Sequence, residues 1–79
     1  MQLNIQIELD GCPGLSATVR NTDTGEAFCY DADDGWVPEA EVLESGNAQI
    51  FDRAEYALGK CHEQVGRMFT AAWKANGGE

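Results

Sequence analysis

The stretch 51-FDRAEYALGKCHEQVGRMFTAAWK-74 decides the fold, because Phe51, Ala54, Leu58, Cys61, Val65, Met68 and Ala72 recur at alternating spacings of three and four. That period lays one apolar stripe along an α-helix, so the stretch reads as a long C-terminal helix beginning between Asn47 and Asp52 and reaching Lys74. Asp52-Arg53-Ala54-Glu55 resembles a capping box with aspartate as the cap, and Asn76-Gly77-Gly78 supplies a stop. Arg53, Lys60, Arg67 and Lys74 repeat every seven residues along the outer face. A helix from Ala48 to Lys74 spans about 40 Å, against a radius of gyration of about 12 Å for a domain of this size. It should therefore overhang its sheet and meet a partner, or break at Gly59 or Gly66. Gly59, His62, Gly66, Phe69 and Trp73 form a second stripe beside the first. That stripe reads as a widening of the core face; the alternative is a homodimer contact through Gly66, Phe69 and Trp73.

Upstream, the period changes from helical to two. Leu3, Ile5, Ile7 and Leu9 alternate with Asn4, Gln6, Glu8 and Asp10, the pattern of a half-buried strand. Asp10-Gly11-Cys12-Pro13-Gly14 stops it with a turn, and Leu15, Ala17 and Val19 alternate in a second strand that ends at Asn21. Thr22-Asp23-Thr24-Gly25 reads as a hairpin turn into a third strand from Glu26 to about Asp31. The favoured register sets Val19 opposite Phe28 and Ala17 opposite Tyr30. Asp31-Ala32-Asp33-Asp34-Gly35 then reads as a charged loop leaving the sheet, and Pro38 opens a short helix to Ser45 that Gly46 closes. The whole chain, residues 1–79, is expected to be a single α+β domain: a three-stranded antiparallel meander, a short helix, and a long C-terminal helix packed on the sheet.

Charge is distributed as unevenly as hydropathy. Asp23, Glu26, Asp31, Asp33, Asp34, Glu39, Glu41 and Glu44 fall within 22 residues that hold no lysine or arginine, and the formal net charge is −9. Up to residue 50 the only base is Arg20, whereas beyond it the acids and bases balance. An apolar fraction of 43% argues that this acidic region is folded and not a disordered tail. Such a field repels nucleic acid and acidic membranes and attracts basic protein surfaces. Apolar runs of at most four residues exclude a membrane span, and the N-terminus lacks a basic, apolar leader, so a cytoplasmic protein is expected.

Cys12, Cys29 and Cys61 lack the paired spacing of zinc ligands, and in a chain without an export signal they read as reduced thiols. Counted from Asp31, the EF-hand pattern fails where Gly35 stands for an acid, Trp36 for the required glycine and Val42 for the closing glutamate. There is no phosphate loop, dinucleotide fingerprint or nucleophile elbow, and His62 alone would have to carry histidine chemistry. No enzyme, metal or cofactor is expected.

What remains is recognition of a basic protein surface. Asp23, Glu26, Asp31, Asp33, Asp34, Glu39, Glu41 and Glu44 would imitate a phosphate track, with Trp36, Phe28 or Tyr30 as apolar anchors. In size, strand-strand-strand-helix order and its acidic run from Asp23 to Glu44, the chain resembles the small acidic inhibitors that phages and mobile elements make against host nucleic-acid machinery, anti-CRISPR proteins above all. The resemblance covers the chain in outline and brings no residue assignments with it. It implies a non-enzymatic inhibitor that binds a CRISPR effector complex in the bacterial host cytoplasm and blocks DNA binding. The second reading is a small structural or assembly subunit of a phage or mobile element that self-associates through its long helix.

Overall fold

The computed structural model describes residues 2–10 and 15–78. Four strands form an antiparallel meander: β1 (Ile5–Asp10), β2 (Leu15–Asn21), β3 (Ala27–Asp31) and β4 (Gly35–Pro38). Helix α1 (Glu39–Ser45) follows, then a two-residue strand β5 (Ile50–Phe51) that pairs with β2, and finally α2 (Ala54–Ala75). The fold is thus α+β, with a short helix after the meander and a long C-terminal helix. The turn expected at Gly11-Cys12-Pro13-Gly14 lies outside the described residues.

Val19 stands opposite Phe28, in the expected register, and Ile7 stands opposite Val19 on the other side. One face of the sheet therefore collects Ile5, Ile7, Leu9, Leu15, Ala17, Val19, Phe28, Tyr30 and Trp36 under α2, closed by Phe51, Ala57, Cys61 and Met68. Phe51, Val19 and Cys61 are the largest side chains to be fully buried.

The sheet is one full strand wider than the hydropathy pattern implied. Asp31-Ala32-Asp33-Asp34-Gly35 does not leave the sheet; it turns back, and β4 pairs with β3 through Cys29–Val37 and Tyr30–Trp36. The β2–β3 and β3–β4 hairpins use the same device. Asn21 Oδ1 accepts the backbone N–H of Asp23 and Thr24, and Asp31 Oδ1 accepts those of Asp33 and Asp34. Gly25 and Gly35 then close the turns at φ 79° and 76°, where a β-carbon would be strained. A four-residue strand that starts with glycine and ends with proline is too short to show alternation.

Helix α2 runs unbroken through Gly59 and Gly66, so the overhang expected of a long helix is realised. The molecule measures 42 × 27 × 21 Å, and the last buried residue of α2 is Met68. Two details at the start of α2 differ from expectation. Phe51 belongs to β5, and Asp52 does not cap: Arg53 occupies the cap position with no side-chain hydrogen bond. Pairing of Ile50 and Phe51 with β2 holds this segment extended and delays the helix to Ala54.

Candidate functional site

The second face of the sheet carries α1. Ala27 and Cys29 point away from Phe28 and Tyr30, and they are buried together with Thr18 and Val42, outside the main core. Thr18 Oγ1 lies 3.4 Å from Cys29 Sγ. Gly46, at φ 72°, ends α1 by donating its N–H to the Val42 carbonyl. Cys29 thus sits behind the sheet while Cys61 lies in front of it under α2, so these two thiols face different layers. Burial pushes the Cys61 thiol pKa up, because a thiolate would lose its water there.

The layers differ in charge as well as in packing. Arg20 is the sole base before Arg53, and its guanidinium is held by Glu39 at 2.9 Å and Glu8 at 3.9 Å. It is not free to neutralise anything further out. Glu41 and Glu44 project from α1 into solvent, Asp33 and Asp34 from the β3–β4 turn and Glu26 from the start of β3. Among the described residues none of these five forms an ion pair. Glu26 and Glu39 share a shallow hollow with Ala27, Pro38, Ala40 and Leu43, and Gln49 donates its N–H to the Tyr30 carbonyl, which brings the chain after α1 back beside the end of β3. The acidic side chains accordingly run from the β2–β3 turn along α1 toward the β3–β4 turn.

Other expected partner contacts have local work to do. Asp31 builds its own turn, Glu39 anchors Arg20, and Asp23 accepts both hydrogen bonds of the Asn4 amide at 2.9 and 3.1 Å. Trp36 does not offer itself as an anchor. Its ring packs edge-on against Tyr30 at 5.5 Å in the main core, with Nε1 buried and unpaired. Phe28 and Tyr30 pack in the same layer. The apolar residue that stands out on the acidic side is Leu43, 78% exposed. Its neighbour Val42 takes the buried position, and on a helix of about 100° per residue the two cannot share a face. Two adjacent apolar residues in a seven-residue helix were the available signal.

Helix α2 is divided lengthwise into three strips. Its buried line is Ala57, Cys61, Gln64 and Met68, turned slightly from the stripe the spacing implied, so that Ala54 and Leu58 are exposed. On the β3 side, Lys60 Nζ lies over the rings of Tyr30 at 5.7 Å and Tyr56 at 5.5 Å, and 3.7 Å from Glu63. The Glu63 carboxylate, with the two tyrosines, raises the Lys60 pKa. On the other side lie Gly59, His62, Gly66, Phe69 and Trp73. These do not widen the core: all are exposed, Phe69 by 51% and Trp73 by 46%, with their rings stacked at 6.4 Å. His62 is a surface residue.

The fold and charge define a small three-layered α+β domain, one sheet between α1 and α2, with an acidic back on the α1 side and a charge-balanced helical front. Among the described residues no three histidine, cysteine, aspartate or glutamate side chains gather as metal ligands, and no helix is long and apolar enough to cross a membrane. No family model, no curated protein and no solved structure matches the chain.

Proposed function

We propose that this chain is a non-enzymatic binding protein whose acidic back docks on a basic, nucleic-acid-binding surface of another protein and excludes nucleic acid from it. The observation that carries this reading is the exposure, without an ion pair, of Glu26, Glu41 and Glu44 beside and on α1 and of Asp33 and Asp34 in the β3–β4 turn, while Arg20, the sole base before Arg53, is already held by Glu8 and Glu39. Unpaired surface carboxylates confer solubility anywhere, but gathered on one side they set up a directed field that steers a cationic partner. Leu43 supplies what charge cannot, an exposed apolar contact beside the carboxylates that a partner can desolvate. The resemblance to anti-CRISPR inhibitors makes a CRISPR effector complex the first partner to test.

The immobilised chain should retain such a complex at moderate salt, and duplex DNA added to the column should release it. Retention that DNA does not disturb would place the contact away from the nucleic-acid channel and count against mimicry.

A further inference from the structure

The opposite side of the molecule carries a surface of a different kind. Strand β1 is an edge: among the described residues it pairs only with β2, which leaves alternate backbone N–H and C=O groups of six residues facing outward. Natural sheets blunt such edges with proline, lysine, bulges or brevity. The other edge, β4, is four residues long and ends in Pro38; β1 has none of these devices. Its core-side residues Ile5, Ile7 and Leu9 are only half buried, because α2 lies chiefly over β2. The side of α2 turned away from Tyr30 and Lys60, and hence toward β1, is the one that exposes Leu58, Phe69 and Trp73 and half-exposes Val65. An unpaired strand edge and an apolar helix flank are therefore neighbours.

We infer that this surface pairs with a second copy of the chain, β1 against β1 in antiparallel fashion about Ile7, with the two α2 flanks meeting above the joined sheets. The strand is self-complementary about that point. Ile7 would face its own counterpart, Ile5 would face Leu9, and Gln6 would face Glu8, so no carboxylate meets its like and each Gln6 amide can donate to a Glu8 carboxylate. One register further along would set Glu8 against Glu8. The helices fit this pairing too. With α2 over β2, the two axes stand three strand spacings apart, about 14 Å, beyond the usual contact distance of about 8–10 Å between helices. Large side chains fill such a gap, and Phe69 and Trp73 are the largest exposed on that flank.

The extent is sufficient. A flank about 30 Å long and about 20 Å wide from helix to strand edge offers about 600 Å² per copy, the lower bound of a stable dimer once doubled. The exposed acids of α1 and the β3–β4 turn belong to the β3–β4 side of the sheet, away from the β1 edge and outside the contact. This inference is independent of the acidic-face reading, and salt separates the two. Dimerisation of two acidic chains through an apolar face holds or strengthens as salt rises, whereas docking of carboxylates on a basic partner weakens.

Light scattering and sedimentation of the purified full chain, from micromolar to millimolar concentration, should give twice the 8.6 kDa monomer mass. Joint substitution Phe69→Ser and Trp73→Ser should raise the dimer dissociation constant at least about tenfold with unchanged circular dichroism, since both residues are exposed. Gln6 tests the strand pairing separately. Gln6→Glu should weaken the dimer by setting carboxylates against Glu8, and Gln6→Lys should strengthen it, each by about threefold or more. A monomer throughout the range overturns the inference, and so does a dimer indifferent to both Gln6 substitutions.

Discussion

Arg20 Nη2 lies 2.9 Å from Glu39 Oε2, and this contact ties β2 to the first turn of α1 across the back of the sheet. It fixes the helix that carries Glu41, Glu44 and Leu43 by using one of the very acids that sequence reasoning assigned to a partner. Both side chains keep between a quarter and a third of their exposure, so solvent screens the pair. Arg20→Met should cost about 1 kcal/mol of stability, and a double-mutant cycle with Glu39→Gln should return a coupling of about 0.5–1 kcal/mol in urea unfolding. Zero coupling would mean that α1 is positioned by Val42 alone.

Phe51 and Asp52 are adjacent, and the structure assigns them opposite weights. Phe51 is 2% exposed between the Tyr30 and Tyr56 rings, whereas Asp52 makes no cap. Phe51→Ala should destabilise by about 3–5 kcal/mol, enough to unfold much of so small a domain at room temperature. Asp52→Ala should stay within about 0.5 kcal/mol. A loss above about 1 kcal/mol for Asp52→Ala in thermal melts would restore the capping box.

Cys61 ties stability to alkaline pH. Burial raises its folded-state pKa above that of the unfolded chain, so the unfolded state loses its proton first. The contribution is fully present below the ordinary thiol value of about 8.5 and is lost as pH rises through it toward the folded-state value. Lys60, raised by Glu63 and the two tyrosines, acts in the same direction at higher pH. Melting temperature should therefore fall between neutral pH and about pH 9.5, and Cys61→Ala should flatten that fall. In a Cys12→Ser background, Cys29 and Cys61 should react with a thiol reagent only as fast as the protein opens, since both are buried.

Trp36, the anchor expected from sequence, packs against Tyr30 beside the core, and Leu43 is the apolar residue exposed among the acids of α1. Trp36→Phe keeps the ring beside Tyr30 and removes a buried, unpaired N–H, so stability should hold or rise and partner binding should not change. Leu43→Ser alters a side chain 78% exposed; it should leave melting unchanged and weaken capture of a basic partner about tenfold. The reverse pattern in quantitative capture would return the anchor to Trp36.

Most of the fold was legible because two periods are written plainly. Leu3 to Leu9 and Leu15 to Val19 alternate, and Ala57 to Met68 lie within a helical repeat. The Val19–Phe28 register followed from the turn at Asp23 and from burying aromatics. β4 was not legible, because Gly35 and Pro38 bound a strand only four residues long, and the turn logic shared by Asn21–Gly25 and Asp31–Gly35 emerges only when their hydrogen bonds are compared. The acidic surface was legible as composition but not as geometry. Nothing in the order of residues separates Asp31 and Glu39, held in a turn and an ion pair, from Asp33, Asp34, Glu41 and Glu44, which reach solvent unpaired.

That separation defines the most direct test of the acidic face. Asp33→Lys, Asp34→Lys, Glu41→Lys and Glu44→Lys, introduced together, leave Asp31 and Glu39 in place and should preserve the circular dichroism spectrum and the melting transition. Binding of wild type and of this variant to a CRISPR effector complex should be titrated over a series of salt concentrations in competition with duplex DNA. If the acidic face docks on the DNA-binding surface, wild type displaces DNA with an affinity that falls steeply as salt rises, and the variant loses at least about a hundredfold. Equal displacement by the folded variant, or wild-type binding that ignores salt, would contradict it.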